Sequence, residues 1–304
     1  MSNLARPAAL ATIIVLAVAC TGGAPAATNP PSAAPPSASP AGSPSASPGA
    51  FGAIEHATGA SDVLLRYDQG GGFVMPGFLA SQAPIFTLYG DGTIIFRNPA
   101  KEGPPPVGTV FRQAGFRTAH LSEEQIQATL EMALGQGQLG IAKREYRSDQ
   151  VADASTALFT VNAGGLQKVV SVYALGIDVP NSTDAIQRAA FQKLADRLAD
   201  FDQGGSITTD PYQPARYRGI LMDGGPGDPA AKPWPWKDVA PSDFAIPADP
   251  NAIRFPVHVL TAEQVAALGI EQPEGGFQGM TLVGPSGTFY SFSLRPLLPD
   301  DGGA

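Results

Sequence analysis

The chain has one cysteine, Cys20, in 304 residues, so it can form no internal disulfide and no site built from several thiolates. Histidine is nearly as scarce. His56, His120 and His258 are scattered, with no His-x-His or His-Glu-x-x-His spacing, and no metal site is expected. Gly-x-Ser-x-Gly is missing, and Gly284-Pro285-Ser286-Gly287 reads as a turn. Gly70-Gly71-Gly72 lacks both the Lys-Ser/Thr of a phosphate loop and the Gly-x-Gly-x-x-Gly of a dinucleotide fold. It reads as a bend, and no cofactor is expected. Positive charge is thin as well, with 19 Lys and Arg against 27 Asp and Glu and a net charge of -8. That balance disfavours nucleic acid as a partner. Between Arg6 and Glu55 there is no charged residue at all.

What occupies that uncharged stretch falls into two parts. Arg6 and the terminal amine precede Pro7 to Ala19, whose apolar run Ala11 to Ala19 has signal-peptide length and is too short for the roughly 20 residues of a bilayer span. Residues 1–19 therefore read as a removable signal peptide. Thr21 to Ala50 is almost entirely Ala, Pro, Ser and Gly, a composition that cannot bury enough apolar surface to offset its ordering entropy. Residues 20–52 are expected to be a disordered tether, able to extend about 90 Å in polyproline geometry.

At the junction, Leu16-Ala17-Val18-Ala19-Cys20 resembles the lipobox of bacterial lipoproteins, with Ala17 where that family usually has Leu. The resemblance implies a diacylglycerol with palmitate-like chains on the Cys20 thiol, cleavage before Cys20, and attachment to the outer face of the cell membrane through lipid alone. Ala17-Val18-Ala19 also satisfies the small-x-small rule of ordinary secretory cleavage, which would leave a soluble secreted protein. Both readings export the chain.

The remainder, 43% apolar over the whole sequence, is long enough for a substantial core. Val63 to Tyr67 reads as a strand. Phe86 to Tyr89 and Thr93 to Phe96 form a hairpin through Gly90-Asp91-Gly92, because Asp and Gly tolerate the positive φ of tight turns. Ser122 and Gln125 make a capping box for a helix whose face is Ile126, Leu130 and Leu134. A second hairpin pairs Ala157 to Val161 with Val169 to Tyr173, and a second helix runs from Thr183 to Phe201. Thr261 with Gln264 repeats the capping box, and Met280 to Val283 with Thr288 to Leu294 makes a last hairpin. This order predicts an α+β fold, antiparallel hairpins with helices on one face. Its expected units are residues 53–204, a connecting segment at 205–233, and a smaller α+β unit at 234–299 packed on the first. Thr87 to Ile94 with the capped helix after it is similar to extracytoplasmic lipoprotein domains of bacteria, whose own function is unassigned.

Candidate chemistry is sparse. Trp234-Pro235-Trp236, with Tyr212, Tyr217 and Arg216 nearby in sequence, offers aromatic faces for a cell-wall glycan or a peptide, core packing being the competing account. Asp223 to Asp228 lacks the alternating acids of a calcium loop. The expected function is that of a non-enzymatic, surface-tethered binding or scaffold module. The alternative is an envelope hydrolase using carboxylates, for which Asp91, Glu55 and Asp223 are the available residues.

Overall fold

The computed structural model describes residues 52–74, 76–180, 182–224, 228–248 and 254–302. These residues form one compact unit, with an α+β fold of two sheets and four α-helices. The signal-peptide and tether segments lie outside the described residues.

The chain opens with strand β1 (Val63–Gly71), a short helix α1 (Pro76–Ser81), and the hairpin β2 (Phe86–Tyr89) and β3 (Thr93–Phe96). The two-residue strand β4 (Phe111–Arg112) and β5 (Arg117–His120) follow, then helix α2 (Glu123–Glu131), whose last turns widen into a π turn at Met132–Gln136. Next come β6 (Glu145–Tyr146), the hairpin β7 (Ser155–Ala163) and β8 (Leu166–Tyr173), and helix α3 (Ala185–Ala199). The chain then adds β9 (Asp210–Pro211), β10 (Arg216–Asp223), β11 (Lys232–Pro233), β12 (Val257–Thr261), helix α4 (Ala262–Ala266), β13 (Phe277–Val283) and β14 (Phe289–Pro296).

The first sheet has the order β6-β8-β7-β1-β2-β3-β5-β9, antiparallel except for β6 beside β8. Its central hairpin is buried on both faces. Phe86, Leu88, Ile94 and Phe96 meet Ile126 and Leu130 of α2 and Phe191, Leu194 and Leu198 of α3, while Tyr89 and Ile95 point the other way, against Phe116 and Leu298. The turn between these strands depends on Gly92, with φ +90° and so little room that a Cβ would lie 2.5 Å from the Leu121 carbonyl oxygen. Asp91 holds the same turn by accepting the Thr93 N–H at 2.9 Å and the Thr93 hydroxyl at 3.1 Å.

Both capping boxes expected from sequence close reciprocally. The Gln125 N–H donates to Ser122 Oγ at 3.3 Å while Gln125 Oε1 accepts the Ser122 N–H at 2.9 Å; Thr261 and Gln264 do the same at 3.2 and 3.0 Å.

The second sheet runs β11-β13-β14-β10-β12, with β4 added beside β13. Here the expected division of the chain needs correction. Residues 205–233 are not a mere connector, because they supply β10, which pairs with both β12 and β14 inside this sheet. Gly219 interrupts the side-chain pattern of that strand, since Phe292, Leu260 and Phe244 fill the space where its Cβ would stand. Nor are the units sequential. β4 comes from residues expected in the first unit, and α1 places Ala80 against Ile220 and Val257 of the second sheet.

The C-terminal tail fastens the two sheets together. Asp300 Oδ1 accepts from Arg66 Nη2 at 2.6 Å and from the Tyr89 hydroxyl at 2.7 Å, both on the first sheet. Its neighbour Asp301 accepts from Arg295 Nη1 of β14 at 3.1 Å and from the Leu298 N–H at 2.8 Å. Burial acts to raise the Asp300 carboxyl, but the bonds from Arg66 and Tyr89 outweigh it and hold the group below its ordinary range. Burial and the Asp300 carboxylate push the Tyr89 hydroxyl up, so it stays a donor. A carboxyl depressed on folding stabilises the protein above its unfolded pKa of about 4, and that contribution is lost as pH falls through the lower folded value. Asp300→Asn is expected to lower stability by about 2 kcal/mol at neutral pH and to flatten the acid limb of the stability curve. Urea unfolding at pH 7 and below pH 4 measures both.

Candidate functional site

A cleft of about 420 Å³ opens where the ends of β1, β3 and β7 meet α1. Its size falls in the range of small-molecule sites, roughly 300–1,000 Å³. Val74, Phe78, Ala83 and Ile85 supply apolar walls. Polar groups enter from Gln69, Gln82, Arg97, Asn98, Lys101, Gln113 and Ser155.

Local backbone explains why these side chains converge. Gly70 and Gly71 are the last residues of β1 and pair with Thr156 and Ser155 of β7. A Cβ on Gly70 would lie 2.9 Å from Gln82 Oε1, so the missing side chain is what admits the Gln82 carboxamide. Gln69 Nε2 donates to Ser155 Oγ at 2.8 Å. The Gly70-Gly71-Gly72 run, read from sequence as a bend, is thus partly strand and forms one wall of the cleft.

Arg97 dominates the electrostatics. It follows β3, and its guanidinium stacks over the Phe116 ring with the central carbon 4.8 Å from the centroid. Nη1 donates to Gln113 Oε1 and, at 3.5 Å, to the Gly275 carbonyl. No carboxylate among the described residues forms an ion pair with it, unlike Arg66, Arg188 and Arg295. Burial pushes its pKa down to about 10; Asp68 acts to raise it and Arg295 to lower it further. It remains charged at neutral pH. The Gln113 Nε2 is buried beside it with no hydrogen-bond partner in the protein. Lys101 lies at the rim, its Nζ 3.8 Å from Asp202 Oδ1.

The aromatic residues expected to form a binding face are placed elsewhere. Trp236 is only 7% exposed and belongs to the second sheet's core with Phe244, Phe292 and Leu294. Its indole N–H donates to the Gln264 carbonyl at 2.8 Å, and that of Trp234 to the Val239 carbonyl at 2.6 Å. The two rings meet edge to face with centroids 5.0 Å apart. Tyr217 is buried in the same core, whereas the Tyr212 hydroxyl donates to the Leu297 carbonyl at 3.1 Å. Arg216 is exposed and donates to the Asp301 carbonyl at 3.3 Å. Trp236 and Tyr217 are core residues, and the half-buried Trp234 and Tyr212 pack against the cores with their polar edges bonded inside the protein, so the aromatic set is corrected from a ligand surface to core packing. Cys20 lies outside the described residues.

The carboxylates named for hydrolysis do not line the cleft. Asp91 is engaged in the β2–β3 turn, Glu55 is exposed on the segment that precedes β1, and Asp223 is exposed at the end of β10. Among the described residues no group of three or more His, Cys, Asp or Glu is placed to hold a metal ion. Sequence reasoning missed Arg97, Gln113 and Gln82. The one available signal was the glycine run, whose meaning depends on the distant Gln82.

No protein-family model matches the chain, and no curated protein or solved structure matches it.

Since Trp236 fills a core, Trp236→Ala is expected to cost about 3–5 kcal/mol of stability. Chemical unfolding followed by far-ultraviolet circular dichroism measures this. A variant as stable as the parent would return the indole to the list of surface groups.

Proposed function

We propose that this protein is a non-enzymatic binding module held on the outer face of a bacterial cell membrane by lipid on Cys20. The observation that carries the reading is the placement of the only cysteine, at the end of a short apolar run and the start of a charge-free spacer. Acyl chains contribute about 0.8 kcal/mol per buried CH₂, and two or more make a stable anchor. With a net charge of -8, the polypeptide adds no attraction to anionic lipid. The spacer then sets the distance between membrane and folded unit.

Binding rather than scaffold duty is favoured by the cleft, which offers an uncompensated guanidinium and several carboxamides against apolar walls. Such a combination of a few placed polar groups in an apolar concavity is the usual make-up of a ligand site. The hydrolase alternative gains no support, since its three carboxylates are dispersed over separate elements.

The test is the mass of the N-terminal peptide after expression of the full-length chain in a bacterial host. A peptide beginning at Cys20 and heavier by a diacylglyceryl group is the expected result, with the protein partitioning into the detergent phase and Cys20→Ala abolishing both. Cleavage at the same place with an unmodified thiol would replace the anchored reading by the soluble secreted one.

A further inference from the structure

We propose that the cleft beside Arg97 binds a small organic monocarboxylate, its carboxylate on the guanidinium and its apolar body along Val74, Phe78 and Ile85. This deepens the binding-module reading above and rests on it. Four observations converge.

First, Arg97 spends only Nη1 on protein acceptors; among the described residues its Nε and Nη2 have none. A guanidinium with two unused donors matches the two oxygens of a carboxylate. Secondly, the guanidinium is partly buried and no carboxylate among the described residues pairs with it, so an entering anion supplies the missing counter-charge. Thirdly, the unpartnered Gln113 Nε2 supplies a further donor beside the same guanidinium. Fourthly, Val74, Phe78, Ala83 and Ile85 give the cleft an apolar wall, and Phe73, the neighbour of Val74 in sequence, is 92% exposed.

The charge inventory selects a monoanion over a dianion. Lys101 is the one other cation lining the cleft, and it is engaged at 3.8 Å with Asp202. Asp68 and Arg295 are both close enough to act on Arg97; Arg295 is paired with Asp301, which leaves Asp68 to oppose a second negative charge. A phosphate monoester, carrying close to two charges at neutral pH, fits this balance less well. Neutral ligands leave the guanidinium without its missing partner.

The experiment is isothermal titration of the full-length protein, purified from membranes in detergent, with hexanoate, hexanamide and hexyl phosphate. Hexanoate is expected to bind saturably and at least about tenfold more tightly than either of the others, the size of effect expected for losing a charge-assisted hydrogen bond. Arg97→Gln is expected to abolish that preference, with the unfolding temperature measured alongside because the stack on Phe116 and the bonds to Gln113 and Gly275 go with the guanidinium. Equal affinity for hexanoate and hexanamide, or no saturable binding of hexanoate at millimolar concentration, would overturn the proposal. That comparison uses the parent protein, so it stands whether or not the variant folds. The outcome is also separable from the anchor. An unlipidated Cys20 with intact hexanoate binding refutes only the membrane reading, and a lipidated Cys20 without it refutes only this one.

Discussion

The contact on which the architecture depends is the double carboxylate of the C-terminal tail. Asp300 reaches Arg66 and Tyr89 on one sheet, and Asp301 reaches Arg295 on the other. Without cysteine pairs, a fold of two sheets needs some other means to fix their mutual position. Here charge-assisted hydrogen bonds in a partly buried seam do so. Leu298 wedges between them, against Tyr89, Ile95 and Phe116. The Coulombic part of such a seam repays its desolvation only when further hydrogen bonds satisfy the carboxylate oxygens. Asp301 is bonded on both oxygens and meets that condition, while Asp300 takes both its donors on one oxygen and stays 20% exposed to water.

A fixed seam determines what the cleft can be. One side of Arg97 is held by Gly275, which belongs to the segment leading into β13, and by Gln113, just past β4. The other walls come from β1, β7 and α1. The site therefore draws on both sheets, and its geometry follows from the same contacts that join them. Arg295 illustrates the coupling. It bonds Asp301 through Nη1 and the Gln82 carbonyl through Nε at 2.7 Å, so the tail clasp and the Gln82 wall of the cleft share one side chain.

Local physics explains which parts of the fold were legible in the sequence. The β2–β3 hairpin, both capping boxes and the β7–β8 hairpin are each written in residues a few positions apart, and each is present. β10 was invisible because Gly219 breaks its pattern for a reason that lies at Phe292, Leu260 and Phe244. The tryptophans misled for a related reason. A Trp-Pro-Trp run reads the same whether its rings meet solvent or the core, and only the distant carbonyl of Gln264 and the nearby one of Val239 decide between them. The α+β class was accessible because it sums local signals, whereas the two-unit division failed because β4 and α1 cross over to the second sheet.

Arginine usage gives the strongest reason to treat the cleft as built for a ligand. Arg188 is as buried as any arginine among the described residues, yet Asp184 at 2.8 Å and the carbonyls of Tyr173 and Arg147 account for its donors. Arg66 and Arg295 have Asp300 and Asp301. Arg218 also lacks an ion pair and has a buried, unpartnered Nε, but it does not line the cleft. Arg97 alone among these combines a partly buried charge without an ion pair among the described residues, unused donors and an opening wide enough for a small molecule. A purely structural role would be served as well by an apolar side chain stacked on Phe116, without the cost of partly burying a cation. That the position holds a guanidinium is accounted for when an anion completes the set of partners.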